Sequence, residues 1–580
     1  MTAQSGKNLK NRAPELLSPA GSHKALAAAL DAGADAVYFG GSAFNARINA
    51  ANFDEGAIVA AIAECHANGA RAYITVNTQL YDREVLPALK YAAFLYESGA
   101  DALIVADLGF SALVKKHIPD FELHASTQMT AHSASAARLL KEIGFSRMVC
   151  ARELSETQLR RLCAESPLEI EMFVHGAYCV SVSGQCEFSA MIGKRSGNRG
   201  LCAQPCRMAY NGRYPLSLKD LCLAPHITKL IGMGAASLKI EGRMKPPGYV
   251  YGITSIYRRL LDERRDANDE EMTQLAALFS RGGFTDGYFA GKVNRSMLGI
   301  RSEADKENSR EAKEALKRVS VSREPLKAEK RSTPVLPDSI IPREYPTLRN
   351  ETPKITAEFL SEDQIPQKYR PEVCLVPLER YEGGADGVIL PPIIPDNDLD
   401  SVRSALESAA VRGAKYVSVT NIGQLDWLPD EPHIKKNRVT LLGSFRLNVF
   451  NSETLARLYD MGISCCELSP ELTLPQLRDI KGPGRVIVYG RVPLMLCAKK
   501  IGAKELKDRK NVVFPVIESS CGDIVYNSVV TYMGDRRAEL RKYGLSRFHF
   551  IFSDESRAEA EAILEAYRSG LSANFPIRRI

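Results

Sequence analysis

From Pro14 to Gly242 the chain repeats one pattern: a short β-rich run, a turn, then an amphipathic alanine- and leucine-rich stretch ending in glycine. The β-rich runs are ELLSP (15–19), DAVYFG (35–40), RAYITVN (71–77) and DALIVAD (101–107), then FELHAS (121–126), SRMVCAR (146–152), EIEMFVHG (169–176) and ASLKIEG (236–242). Helical stretches such as SHKALAAALDAG and SASAARLLKEIG lie between them, with Gly33, Gly69, Gly99 and Gly144 placed to end helices. Strands alternating with helices imply a parallel sheet, and eight such units imply an α/β fold of the (β/α)8 TIM-barrel type. A doubly wound open sheet is the structural alternative, but no G-x-G-x-x-G follows the first strand. PPGYVYGITSIYRRLLDERR, after the eighth strand, reads as the closing helix.

In such a barrel, chemistry sits at the C-terminal ends of the strands. Those ends carry Ser18, Gly40 and Gly41, Asn77, Asp107, Ser126 to Gln128, Arg152, His175, and Glu241 with Arg243. A long insertion follows the seventh strand. It holds Cys179, Cys186, Cys202 and Cys206, four of the 13 cysteines, in a glycine- and arginine-rich segment with neither helical nor strand periodicity. Long irregular segments inside compact domains are mostly functional or disordered, and this cysteine density argues against disorder. Insertion and strand ends point to one mouth.

The spacing Cys-x6-Cys-x15-Cys-x3-Cys lacks the paired knuckles usual in structural zinc sites, although CAQPC comes close. Four thiolates suit zinc or an iron–sulfur cluster, whose ligands need only converge in space. Arg195, Arg199 and Arg207 favour the deprotonated thiols that either metal requires. Four reduced, unligated cysteines are the alternative, and the surrounding glycines and arginines do not describe a hydrophobic core. Cys222, in KDLC, is a further candidate ligand, with a buried structural role as the simpler reading.

The sequence divides into a polar N-terminus (1–13), the barrel (14–300), a highly charged, proline-bearing linker (301–352) and a second α/β region (353–580). The second region resumes the rhythm with runs at 355–360, 386–392, 414–421, 438–444 and 485–491. LNVFNSETLARLYDMGISCCELSPELTLPQLRDI (447–480) tracks QMTAHSASAARLLKEIGFSRMVCARELSETQLRRL (128–162), and YGRVPLMLC stands where FVHGAYC stood. This is an internal duplication whose second copy lost the cysteine quartet. Cys465, Cys466, Cys497 and Cys521 do not reproduce the spacing and read as buried small hydrophobes.

Composition narrows the setting. At 580 residues, 45% hydrophobic and 25% charged, the chain is an ordinary globular protein of two or three domains. MTAQSGKNLKNRAPELL has no apolar core of a secretory signal, and no run reaches membrane-spanning length. The expected location is the cytoplasm, with reduced thiols and no membrane partner. A net charge of +7 permits an RNA partner without requiring one.

EMFVHGAYCVSVSGQC, RSGNRGLCAQPCR, YPLSLKDLC and SLKIEGRMK, with ELLSPAGSHKALAAALDAGADAVYFGG and FNAR upstream, closely resemble peptidase family U32, the collagenase-like peptidases. The resemblance is strong over residues 14–290 and weaker through GRVPLM, FPVIESSCGDIVYNS and FIFSDESRAEAEAILEAYRSG. The two-part chain is similar to the larger members, which include ribosomal RNA cytidine hydroxylases; shorter members include tRNA 5-hydroxyuridine synthases. The family implies either peptidase activity or oxygen-independent hydroxylation, the latter with a four-iron four-sulfur cluster and, for RNA, prephenate as hydroxyl donor. A peptidase needs an activated nucleophile or a metal-bound water with a base, and neither G-x-S-x-G nor H-E-x-x-H occurs. Hydroxylation of rRNA or tRNA is therefore the expectation, with a non-catalytic metal-stabilised assembly factor as a third reading.

On the hydroxylase reading, Cys179, Cys186, Cys202 and Cys206 hold the cluster (or zinc). Arg47, Arg152 and Arg243 clamp a carboxylate, with Asn77 and Lys239 as further substrate contacts, and His175 and Glu241 act as acid or base. Lys194, Arg195 and Arg199 are candidates for RNA phosphate. Each clamp arginine is alternatively a structural partner of Glu153, Glu241 or Asp54.

Overall fold

A computed structural model describes residues 13–48, 50–307, 309, 331–345, 354–571 and 577–578. The polar N-terminus up to residue 12, and much of the expected linker, lie outside the described residues.

The eight expected strands form. They are β1 (Glu15–Pro19), β2 (Ala36–Phe39), β3 (Arg71–Val76), β4 (Ala102–Val105), β5 (Glu122–Ala125), β6 (Arg147–Val149), β7 (Glu169–Gly176) and, after a short β8 (Asp220–Cys222), β9 (Ser237–Ile240). The eight pair in parallel in the order β1-β2-β3-β4-β5-β6-β7-β9, and β9 returns to β1 with Glu15 opposite Ser237. The ring is closed, which removes the open-sheet alternative. β8 runs antiparallel to the end of β7 and carries β10 (Phe284–Thr285) on its other side. Helix starts are set by side-chain caps: Ser22, Asp54, Asp107 and Ser133 each accept a backbone N–H three residues on. At the other ends Gly33 and Gly144 take φ of 81° and 106°, a conformation costly for any side chain. The helix Pro247–Glu263 packs on His23–Asp31, and Ser18 Oγ lies 2.8 Å from Thr254 Oγ1, which closes the outer ring.

The second half is also a complete barrel. Its strands are β11 (Ile355–Glu358), β12 (Val373–Pro377), β13 (Gly387–Ile389), β14 (Tyr416–Val419), β15 (Thr440–Gly443), β16 (Ile463–Glu467), β17 (Gly484–Gly490) and β23 (Phe548–Ile551). All eight are parallel, and β23 joins β17 back to β11. Between β17 and β23 lies an antiparallel sheet of β18 (Pro493–Cys497), β19 (Glu505–Lys507), β20 (Val513–Ser519) and β21 (Gly522–Tyr526), followed by β22 (Val530–Tyr532), which pairs antiparallel to the end of β17. β22 thus repeats what β8 does at the end of β7.

The duplication reaches individual residues. Ser126 caps a 3-10 turn that ends at Thr130 (φ 56°), and Ser444 caps one that ends at Asn448 (φ 54°). Each barrel also has a bulge near the end of its seventh strand, between Phe173 and His175 in β7 and between Ile487 and Tyr489 in β17. Gly176 and Gly490 follow these bulges at φ 108° and 128°; a Cβ there would lie 2.6 Å from Glu241 O and 2.2 Å from Ile551 O.

The barrels meet through their C-terminal ends in a reciprocal contact. The helix Leu108–His117, after β4, packs on Ser452–Asp460, after β15; the helix Ala134–Ile143, after β5, packs on the turn Ile422–Asp426, after β14. Gly109 and Gly423 permit the approach, since a Cβ would meet Thr454 N at 2.2 Å and Ala136 at 3.0 Å. One apolar core runs through both halves. No described helix is long and apolar enough to cross a membrane.

Candidate active site

At the C-terminal mouth of the first barrel a cavity is lined by residues from β2 to β7 and β9 and the loops that follow them. Arg47, Asn77, Arg152, Lys239, Glu241 and Arg243, all expected at the site, line it together with Tyr38, Thr75, Gln128 and Phe173. Glu241 is the hub: Arg47 Nη2 reaches one carboxylate oxygen and Arg152 Nη2 the other, each at 3.3 Å. Burial alone would raise its pKa, but the fields of Arg47, Arg152, Lys239 and Arg243 outweigh it and hold the carboxyl below the usual range.

The arginines are oriented before any ligand arrives. Arg152 also donates to Ala177 O at 2.8 Å and lies 3.7 Å above the Phe173 ring. Arg243, 3% exposed, donates to Thr75 Oγ1 at 3.0 Å and to Asn45 Oδ1 and Asn52 Oδ1 at 3.1 and 2.9 Å. These acceptors are neutral, and burial lowers the Arg243 pKa to about 10. Lys239 is tied to Glu171 at 2.7 Å behind the cavity, with Nζ 4.4 Å above the Tyr38 ring. Asn77 Oδ1 accepts from Ala46 N at 3.0 Å and so fixes the loop that carries Arg47. Four cations face Glu241 in the lining; Lys239 is also ion-paired with Glu171, and Arg152 also acts on the buried Glu153. Such a site prefers an anion that planar guanidinium groups can grip, such as a carboxylate.

His175 is not at this site. The bulge pairs Phe173 with Lys239 but His175 with Ile240, so Phe173 faces the cavity and His175 turns outward. Its ring is buried against Tyr257 and Phe284, and burial followed by the charge of Lys245 lowers its pKa to about 3. The expectation of an acid or base there is withdrawn. Asp107 is also elsewhere: it accepts from Asn451 and Thr454 of the second barrel at 2.7 and 3.0 Å. Asp54, weighed as an arginine partner, caps a helix instead. Cys222 is buried, with Sγ 3.7 Å from Tyr257 OH.

The cysteine segment lies beside the cavity. Cys179 and Cys202 are exposed, Cys186 and Cys206 half-buried. Cys206 stands in the fields of Cys179 and Cys202, and Cys186 in those of Cys202 and Cys206. Burial raises Cys206 to about 12, with Cys179 and Cys202 adding to the effect; burial, then Cys202 and Cys206, raise Cys186. Arg47 feels Glu241 of the cavity and both Cys179 and Cys202, so one side chain links the two. The donor set is all sulfur, and among the described residues no three His, Cys, Asp or Glu side chains gather closely enough to hold a single ion. Four sulfur donors suit either zinc or an iron–sulfur cluster. Of the other basic residues in the segment, Lys194 and Arg195 are exposed, while Arg199 is paired with Glu84 at 2.8 Å and stacked on Tyr81 at 3.9 Å.

The second barrel holds this segment in place. Val182 N donates to Leu496 O at 2.7 Å and Glu187 N to Leu494 O at 2.8 Å, with Cys186 opposite Met495. Gln185 bridges to Arg446: its amide accepts from Arg446 Nη1 and donates to Arg446 O, both at 3.1 Å. Phe514 packs on Phe188 with centroids 4.9 Å apart. Cys497 is buried at the end of β18, where Cys206 contributes to raising its pKa after burial and Asp523.

The profile described as Peptidase family U32 matches residues 21–298. The chain is 41% identical over 293 residues to a 23S rRNA 5-hydroxycytidine synthase of Escherichia coli, a match covering 49% of this chain and 43% of that protein. It is 36% identical to tRNA hydroxylation protein P1 of Bacillus subtilis, covering 45% of this chain and 66% of that one. It is 35% identical to a collagenase of Porphyromonas gingivalis, covering 48% and 74% respectively. A solved U32 peptidase aligns at 10% identity and a TM-score of 0.29 over 39% of this chain and 92% of its own, too distant to bear on the site.

Proposed function

The chain belongs to peptidase family U32, and from that premise we propose that it is an RNA-modifying hydroxylase acting on a pyrimidine of rRNA or tRNA. One observation carries the reading: an arginine-rich cavity whose Ala46–Arg47 loop packs against Gly200 of the segment that holds four cysteines. Relatives named for rRNA and tRNA hydroxylation accord with it. A peptidase with a histidine-activated nucleophile would need that histidine at the site, and no histidine lines the cavity.

In this proposal Cys179, Cys186, Cys202 and Cys206 hold a four-iron four-sulfur cluster, which supplies redox chemistry beside the cavity. Arg47, Arg152 and Arg243 grip a small carboxylate hydroxyl donor such as prephenate. Arg243 is the strongest candidate contact, because its present partners are neutral. Glu241, ionised at neutral pH, accepts a proton or keeps the arginines apart for the donor. The target base is drawn out of its stack to reach the mouth. Such a substrate would place the protein in the cytoplasm.

The test is made on protein purified without oxygen: iron, sulfide and zinc content for wild type and Cys202→Ala, with mass spectrometry of rRNA and tRNA from a deletion strain. The proposal expects iron and sulfide that the variant loses, and one hydroxylated nucleotide missing from the strain. Zinc without iron, or unchanged RNA masses, would overturn it.

A further inference from the structure

A second concentration of positive charge lies on the same rim, outside the cavity. The Phe279 ring, itself buried, has Lys245 Nζ 2.8 Å, Arg301 Cζ 4.5 Å and Arg281 Cζ 5.2 Å from its centroid. An aromatic face attracts a cation through its ring quadrupole. Three cations around one ring also repel one another, so the ring alone does not account for the arrangement.

Asp220 stands in the fields of both Arg281 and Lys245. Arg281 is ion-paired with buried Asp220, and Arg281 and Arg207 both act on the Cys206 thiol, so those two belong to the cysteine segment. Arg301 has no ion pair among the described residues, and its Nε is buried without a hydrogen-bond partner. Lys245 and Arg301 are both partly exposed. Each adjoins an exposed apolar residue: Met244 is 58% and Ile300 50% exposed. Lys245 also sits two residues beyond Arg243 of the cavity, in a turn closed by Lys245 N donating to Gly242 O at 2.8 Å.

We propose that Lys245 and Arg301, held on Phe279, bind a phosphodiester of the RNA whose target nucleotide enters the cavity. The proposal rests on the RNA reading above. A single negative charge between the two groups relieves their repulsion, and the guanidinium fork suits two phosphate oxygens. Met244 and Ile300 offer apolar contact to the flanking sugar or base. The arrangement positions the strand and carries no sequence information.

The experiment measures equilibrium binding of a single-stranded oligocytidine RNA to the full anaerobic protein across a range of KCl. Lys245→Gln and Arg301→Gln are compared with Lys90→Gln, which removes the same charge from an exposed residue on the helix Asp82–Glu97. Each rim variant should weaken binding roughly three- to tenfold at low salt and flatten the slope of log K against log salt by about 0.7. The control should change neither. Matching melting curves would show that folding is intact. Rim variants that bind like the control overturn the proposal, as does wild type that binds no RNA. Variants that lose competition by inorganic phosphate yet bind RNA normally would mark a small-anion site and overturn the RNA assignment. Cluster content and RNA masses are read separately, so failure here is distinguishable from failure of the hydroxylase reading.

Discussion

The two barrels have the same frame and put it to different uses. Below each mouth is a buried charged layer. In the first, Arg147 reaches Glu15, Glu169 and Glu171 at 2.6, 2.7 and 3.3 Å, and Lys239 completes it on Glu171. In the second, Arg485 donates to Glu467 and Thr356 at 2.9 Å each, with His549 Nδ1 2.7 Å from Thr356 Oγ1. Above the layer they diverge. The first mouth turns Arg47, Arg152 and Arg243 into a cavity. In the second, Arg446, the counterpart of Gln128 in the capped turn, holds the other barrel's cysteine segment. One copy kept a site, and the other became the wall against which that site is built.

The largest effect should come from the shared layer. Arg147→Met and Arg485→Met each leave buried carboxylates uncompensated, which costs about 3–5 kcal/mol in such pairs. Urea denaturation should show losses of that size in both. If Arg147→Met cost under about 1 kcal/mol, the layer in the first barrel would not be structural and the parallel between the barrels would break.

A smaller effect tests the divergence. Gln185→Leu removes the bridge to Arg446 and leaves a guanidinium partly unsatisfied, for about 1–3 kcal/mol. If the second barrel is the wall of the cysteine segment, alkylation of Cys186 in metal-free protein should also accelerate, read by mass spectrometry. An unchanged rate beside lowered stability would mean that the contact glues the barrels without shaping the segment.

What the sequence disclosed follows from how each element is made. The first barrel was legible because its strands are uninterrupted, its helices amphipathic and their ends marked by glycines such as Gly144. In the second, β12 is harder to read because short 3-10 turns at Glu362–Gln364 and Leu378–Arg380 flank it in place of amphipathic helices. β23 was hidden by the long insertion before it. At the site, Arg152 and Arg243 were visible as charges at strand ends, and Arg47 as part of FNAR. Tyr38, Thr75 and Phe173 were not, because inward-facing strand residues look like core. His175 misled for a definite reason: a bulge shifts parity by one, and nothing in EMFVHG marks it.

The finest comparison is in titration. In each barrel burial pushes a carboxyl up to about 7: Glu153 in the first, which backbone hydrogen bonds and then Arg152 lower only in part, and Glu358 in the second, which Arg446 and Arg485 lower only in part. A raised carboxyl binds its proton more tightly folded than unfolded. Its contribution is therefore fully present below the unfolded value of about 4.5 and is lost as pH rises through about 7. His175 and His549, held neutral by burial with values of about 3 and 4, act oppositely: they destabilise as pH falls below about 6.5. The difference between wild type and variant at each pH cancels the histidines. Glu153→Gln and Glu358→Gln should each remove a decline on the order of 1–2 kcal/mol between pH 5 and 8, measured by urea denaturation. The two effects should add, since the groups are in separate barrels. If only Glu358→Gln flattened the profile, Glu153 would be ionising without penalty, and the first barrel would admit water or a counter-charge behind Arg152 that the second excludes.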